Sequence, residues 1–181
     1  IARARHHIHL QYYIFCDDET GRRLRDALVE KARQGVHVRI LYDDVGCSGV
    51  SKSFFEGMRR EGIEVHAFLH VKFPRFTSKV NYRNHRKIVV IDCRVGFIGG
   101  MNIADRYVRG TEWGSWRDTH FRIEGSGVAG LQVAFLSDWS ATTKRHVSGS
   151  EYFPAAQRYT DNILQIVAGG PLGKWRALLQ A

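Results

Sequence analysis

The chain lacks any apolar stretch approaching the roughly 20 residues a helix needs to cross a bilayer, and no signal peptide opens it. It has no Cys-x-x-Cys pair. Its three cysteines, Cys16, Cys47 and Cys93, are scattered and odd in number, which points to a reducing compartment. Acidic residues are in deficit, 18 Asp and Glu against 27 Lys and Arg, for a net charge of +9. Such a surface favours phosphorylated partners, either anionic lipid headgroups or nucleic acid, and charge alone does not choose between them. No run of basic residues interleaved with aromatics resembles a single-strand binding platform. The length, 181 residues, is enough for a single well-cored domain.

What the chain does have is one dense polar stretch. Asn84-His85-Arg86-Lys87 runs into Ile88-Val89-Val90-Ile91-Asp92, and Gly99-Gly100-Met101-Asn102 follows. The short β-branched run predicts a buried strand. Alternation then puts His85 and Lys87 on one face and Asp92 on the other parity, at the strand's end. Asp92 is therefore expected not to touch what His85 and Lys87 touch. A turn over 92–94 and a strand over 95–98 would complete a hairpin. Gly99-Gly100 is expected to let the backbone approach a ligand closely, before a helix near Asn102 whose N-terminus would favour phosphate.

The residue types suggest the chemistry. A neutral imidazole, with an unperturbed pKa of about 6.5, can attack phosphorus at physiological pH and form a covalent phosphohistidine. Lys87 and the Asn102 amide could hold the non-bridging oxygens and offset developing charge. Chemistry of this kind usually takes two such histidines, and the chain carries one.

The remaining pattern alternates strands and helices. A strand is expected over 7–15, a helix over 21–34 capped by Thr20 and stopped by Gly35, and a strand over 36–42. A helix over 51–60 and a strand over 63–69 follow, then the hairpin, a strand over 116–124 bearing Asp118, and a helix over 128–139. Together these read as an α/β sandwich with a mixed β-sheet flanked by helices. Residues 71–80, with Lys72, Pro74, Arg75 and Lys79, read as a basic loop leading into the polar strand. His6-His7-x-His9 could hold a metal, but alternation gives His7 and His9 no carboxylate neighbour, so a solvated strand edge is expected and no metal.

The polar stretch resembles the HKD motif of the phospholipase D superfamily, and more of the chain is similar to one branch, the bacterial cardiolipin synthases. The words that narrow it are Tyr12-Tyr13-Ile14-Phe15, Asp17-Asp18-Glu19-Thr20-Gly21, Leu41-Tyr42-Asp43-Asp44-Val45-Gly46, Asn81-Tyr82-Arg83-Asn84, Gly99-Gly100-Met101-Asn102-Ile103 and Trp116-Arg117-Asp118-Thr119-His120. The likeness implies a phospholipase D-like fold and a phosphatidyltransferase that makes cardiolipin from phosphatidylglycerol through a phosphatidyl-histidine. His85, Lys87 and Asp118 would be catalytic, with Asp118 orienting the motif histidine through its other ring nitrogen. Lys87, Asn102, Gly99 and Gly100 would bind the substrate phosphate, and Asp92 would be structural. The likeness implies no cofactor and no metal. Asp43-Asp44 would support the site or contact a glycerol-like acceptor.

It also implies a division into a first HKD domain over 1–144, a connecting segment over 145–161, and the opening strand and helix of a second half over 162–181. Ile1 is not a natural start, so a preceding membrane-helical region is expected. Expected partners are phosphatidylglycerol or another anionic phospholipid, a membrane surface at the cytoplasmic face of a bacterial inner membrane, and a second HKD half or homodimer partner. Two other readings stand beside the synthase. One is a single-motif phosphodiesterase or nuclease active as a homodimer, the only reading that calls for nucleic acid. The other is an inert phosphate- or lipid-binding fragment.

Overall fold

The computed structural model describes residues 1–68, 85–155 and 163–169. Six strands are present among them: β1 (His7–Tyr12), β2 (His37–Asp43), β3 (Glu64–Phe68), β4 (Ile88–Ile91), β5 (Val95–Gly99) and β6 (His120–Glu124). They form one sheet in the order β3-β2-β1-β4-β5-β6. The first three strands run parallel, and β4, β5 and β6 continue antiparallel from β1. Parallel neighbours need crossovers, and helices α1 (Glu19–Arg33) and α2 (Lys52–Arg60) supply them. A short α3 (Arg106–Arg109) precedes β6, and α4 (Val128–Thr143) follows it. This is the mixed, helix-flanked α/β sandwich that the pattern predicts.

Helix α1 starts two residues earlier than its expected Thr20 cap. The Asp18 carboxylate accepts the Gly21 N–H at 2.9 Å, whereas the Thr20 N–H donates to Asp105. An ionised carboxylate satisfies an orphan donor and complements the helix dipole, which a hydroxyl does only in part. The stop is where expected, at Gly35, whose φ of +84° suits a residue without a Cβ.

The two faces of the sheet bury different chemistry. On one, Ile8, Leu10, Val38, Ile40, Val65, Val89 and Ile91 pack with Leu28 of α1 and Phe54, Phe55 and Met58 of α2. On the other, α4 lays Leu131, Phe135 and Trp139 over Ile88, Val90 and Leu41. With helices on both sides, β4 is buried along its whole length, as its unbroken apolar run predicts.

This arrangement overturns the solvated edge expected for His7 and His9. Strand β1 sits between β2 and β4, and α4 covers its histidine face, so both rings have no exposure. Gln132 of α4 meets both rings, through its Oε1 at 2.9 Å from His9 Nδ1 and its Nε2 at 3.1 Å from His7 Nε2. Arg39 Nη1 lies 3.2 Å from His9 Nε2 and donates to the Tyr152 hydroxyl at 3.1 Å. Burial pushes His7 down to about 4 and His9 well below its ordinary value, so both are held neutral.

Residues 145–155, expected as connecting segment, fold back on the sheet through buried Tyr152. Residues 163–169 pair with no strand among the described residues. Leu164 and Ile166 instead lie against Gly127 and Gly130 of α4. The basic loop over 71–80, the words at 81–84 and the helix expected after Lys174 lie outside the described residues.

Candidate active site

The polar stretch enters β4 antiparallel to β1, so its beginning lies at the carboxyl ends of β1 and β2. Crevices at that end of a parallel strand set are where α/β sheets bind ligands. His85 is exposed there, and its ring stacks on Tyr13 with centroids 4.0 Å apart and planes 19° apart. Lys87 shares its parity but is buried, at 8% exposure. Its Nζ donates to the carbonyl of His85 at 2.7 Å and lies 5.8 Å from the Tyr13 ring centroid. Burial lowers the Lys87 pKa, while the nearby Asp118 charge opposes that shift.

Tyr13 itself rests on the turn after β2. Asp43 Oδ1 accepts the N–H groups of Val45 at 2.9 Å and Gly46 at 3.0 Å. Gly46 then lies so close to Tyr13 that a Cβ would fall 2.1 Å from the tyrosine carbonyl oxygen. Asp43 thus shapes the support beneath the ring that stacks on His85. Tyr13 carries no motif signature beyond its place in Tyr12-Tyr13-Ile14-Phe15, and its role is visible only once β1 and β4 are paired.

Asn102 is brought to the same end by backbone stitching rather than by a helix. Ile103 bridges Phe15 in parallel, with Cys16 N–H donating to the Ile103 carbonyl at 2.9 Å and Ile103 N–H to the Ile14 carbonyl at 3.1 Å. Asn102 Oδ1 accepts the Ile14 N–H at 3.0 Å, and its Nδ2 donates to the Tyr107 hydroxyl at 2.7 Å. The amide keeps a second N–H for a ligand. The helix expected to begin near Asn102 starts only at Arg106 and lasts a single turn, so Asn102 itself sits at no helix N-terminus. The Asp18 and Asp105 carboxylates, each accepting an N–H from the other's segment, hold this loop to α1 instead.

The glycine pair serves the protein's own chain. A Cβ on Gly100 would lie 1.9 Å from Asp118 Oδ1, and one on Gly99 would lie 2.3 Å from the Thr119 carbonyl oxygen and 2.7 Å from His120 Nδ1. Their openness lets residues 118–120 approach the motif strand. Asp118 lies just before β6 rather than within a strand, its Oδ1 accepting the Thr119 N–H at 2.8 Å. No hydrogen bond joins it to His85 among the described residues. His120 is a site neighbour that sequence reasoning passed over. Burial lowers its pKa, Asp118 raises it and Lys87 lowers it, and its buried Nδ1 has no hydrogen-bond partner among the described residues.

Asp92 sits at the far end of β4. Its carboxylate accepts three N–H groups at the start of β1, from Arg5 and His6 at 2.8 Å and His7 at 2.9 Å. At about 3.3 Å per strand residue, it is roughly 20 Å from His85. Asp92 and Cys93 both take positive φ, 52° and 50°, the signature of a tight hairpin turn.

Residues 1–119 match the family model described as the PLD-like domain of cardiolipin synthase. The chain belongs to this family. Cardiolipin synthase 2 of Bacillus cereus is 46% identical over 181 residues, covering 98% of the chain and 35% of that protein. The chain spans about a third of the length of the curated relatives it matches, 35–38% of each. Among solved structures, Nuc, a phospholipase D family member from Salmonella typhimurium, aligns with a TM-score of 0.52 at 16% identity, over 79% of this chain and 81% of its own. Phosphatidylserine synthase from Haemophilus influenzae aligns at 0.58 and 16% identity, over 76% of this chain and 32% of its own. At such identities these two likenesses speak to the fold alone. The cardiolipin synthase PLD-like domain therefore supplies the family, and the fold agrees with it.

Proposed function

We propose that this domain is the first catalytic half of a phosphatidyltransferase that makes cardiolipin from phosphatidylglycerol. The observation that carries the reading is the exposed His85 ring held flat on Tyr13, beside the buried Lys87 amine that donates to the His85 carbonyl. A ring nitrogen of His85 attacks the phosphorus of phosphatidylglycerol. The bond from phosphorus to the glycerol oxygen breaks, and glycerol leaves with a proton from a second histidine. The hydroxyl of another phosphatidylglycerol then attacks the phosphatidyl-histidine, giving its proton to that second histidine, and cardiolipin departs with His85 restored. Lys87 and the free Asn102 N–H neutralise the phosphate oxygens in both steps. Asp118 biases the local field toward the positive states of Lys87 and His120, and Asp92 is structural.

The second histidine comes from a second half, of which residues 162–181 are the opening, or from another copy of the chain. The Lys and Arg excess suits the anionic inner leaflet of a bacterial membrane. A homodimeric single-motif phosphodiesterase is the second reading, favoured by the fold's filling 81% of the Nuc chain. The test feeds phosphatidylglycerol to the chain, alone and joined to a second histidine-lysine half, and follows glycerol and cardiolipin. The proposal expects stoichiometric release of glycerol and its loss in His85→Asn. Equal turnover in that variant would refute it, and cleavage of DNA without lipid transfer would favour the second reading.

A further inference from the structure

The loop between Asn102 and β6 carries apolar surface that the chemistry does not use. Thr111 and Gly114 exchange backbone hydrogen bonds, 2.8 Å from Thr111 N–H and 3.0 Å in return, which pinches the chain and puts Glu112 and Trp113 at the tip. Gly110 and Gly114 permit the pinch with φ of +80° and +129°. Trp113 is 90% exposed, Val108 68% and Trp116 50%. Single exposed apolar residues are ordinary, but three of them within nine residues, on the turn and to either side of it, mark an interaction surface.

The chemistry of the patch favours a lipid interface. Indole has an apolar body and a polar N–H, and it settles where one side is oily and the other wet. Arg109 is engaged by Glu19 and Asp105. Arg106 instead lies over the Tyr107 ring at 5.5 Å, and exposed Arg117 makes no ion pair among the described residues. Over the loop the charges balance, Arg106, Arg109 and Arg117 against Asp105, Glu112 and Asp118, so the long-range pull toward an anionic surface comes from the chain's net charge of +9, with Arg106 and Arg117 as the local phosphate contacts. Near an anionic surface each such cation contributes about 1 kcal/mol. The loop is also joined to the site, since Tyr107 accepts from Asn102 at 2.7 Å and its ring lies 5.4 Å from Trp116.

We propose that this tip is the membrane-docking element of the domain. Trp113, flanked by Trp116 and Val108, enters the headgroup layer of an anionic bilayer, with Arg106 and Arg117 on lipid phosphates. The inference rests on the reading that the substrate is a bilayer phospholipid, and it names where the domain meets that bilayer. Docked this way, the loop brings headgroups to the rim that holds Asn102.

The test uses vesicles of equal parts phosphatidylglycerol and phosphatidylcholine, vesicles of phosphatidylcholine alone, and the same mixtures with brominated acyl chains. Wild-type chain should prefer the anionic vesicles by about tenfold or more, and Trp113→Ala should weaken that binding by about tenfold without changing the melting temperature. Bromolipid quenching of tryptophan fluorescence should be present in the wild type and largely lost in Trp113→Ala. Unchanged binding or quenching in that variant overturns the proposal, as does failure of the wild type to bind either vesicle. Quenching of Trp113 by a single-stranded oligonucleotide in preference to vesicles overturns it too. His85→Asn should bind vesicles like the wild type. A docking tip on a chain that transfers no lipid even when joined to a second histidine-lysine half would contradict the transferase reading and leave this one standing.

Discussion

Histidines at two places along one sheet have opposite fates. His7 and His9 on β1 are sealed under α4, bonded to Gln132 and Arg39, and held neutral by burial. His85, at the mouth of β4, is exposed and braced on one ring face by Tyr13. The same side chain is a structural hydrogen-bonding element in one place and an accessible nucleophile, by our proposal, in the other. What separates them is position along the sheet: mid-strand under a helix, or at the carboxyl ends where the sheet opens.

Replacement of His85 should break the comparison most visibly. His85→Asn should lower phosphatidyl transfer by about 10³-fold or more while changing stability by no more than about 0.5 kcal/mol, as expected for an exposed side chain. Turnover and a urea melt on the same preparation check both halves. Lys87→Met should lower turnover by about 10²- to 10³-fold. It should leave stability unchanged or raised, because it removes a desolvated charge. A large loss of stability would make Lys87 a structural partner of the His85 carbonyl.

Acid should act on the other group. The His7 ring has a pKa of about 4 when folded and about 6.5 when unfolded. Between those values the unfolded chain binds a proton that the folded chain refuses, so stability falls as pH drops through that window. From pH 6.5 to pH 5 this amounts to about 1.6 kcal/mol for His7 alone. Urea midpoints that stay flat between pH 7 and pH 5 would show the buried network to be less dry than its burial implies. Asp118→Asn should have the smallest effect, about 10- to 100-fold on kcat with KM little changed. A pure rise in KM would assign Asp118 to substrate binding.

Much of this architecture is legible in the sequence, because β4's unbroken Ile-Val-Val-Ile run and the periodic face of α1 report burial directly. The separation of His85 and Lys87 from Asp92 is legible too. What local pattern does not carry is which strands become neighbours. His7 and His9 read as an edge because only the tertiary position of β1, and Gln132 more than a hundred residues away, buries them. Tyr13 and His120 were missed for the same reason. The Asn102 helix was over-read, since the glycines before it serve the approach of Asp118 and His120 rather than a helix start.

The account turns on His85 as the residue that becomes covalently loaded. Mixing the transfer-competent protein with phosphatidylglycerol, quenching within a turnover under alkaline denaturing conditions that preserve phosphoramidates, and mapping peptides by mass tests it most directly. The account predicts a phosphatidyl adduct on His85 and none on His7 or His9. An adduct on another residue, or turnover with His85 never modified, would contradict it.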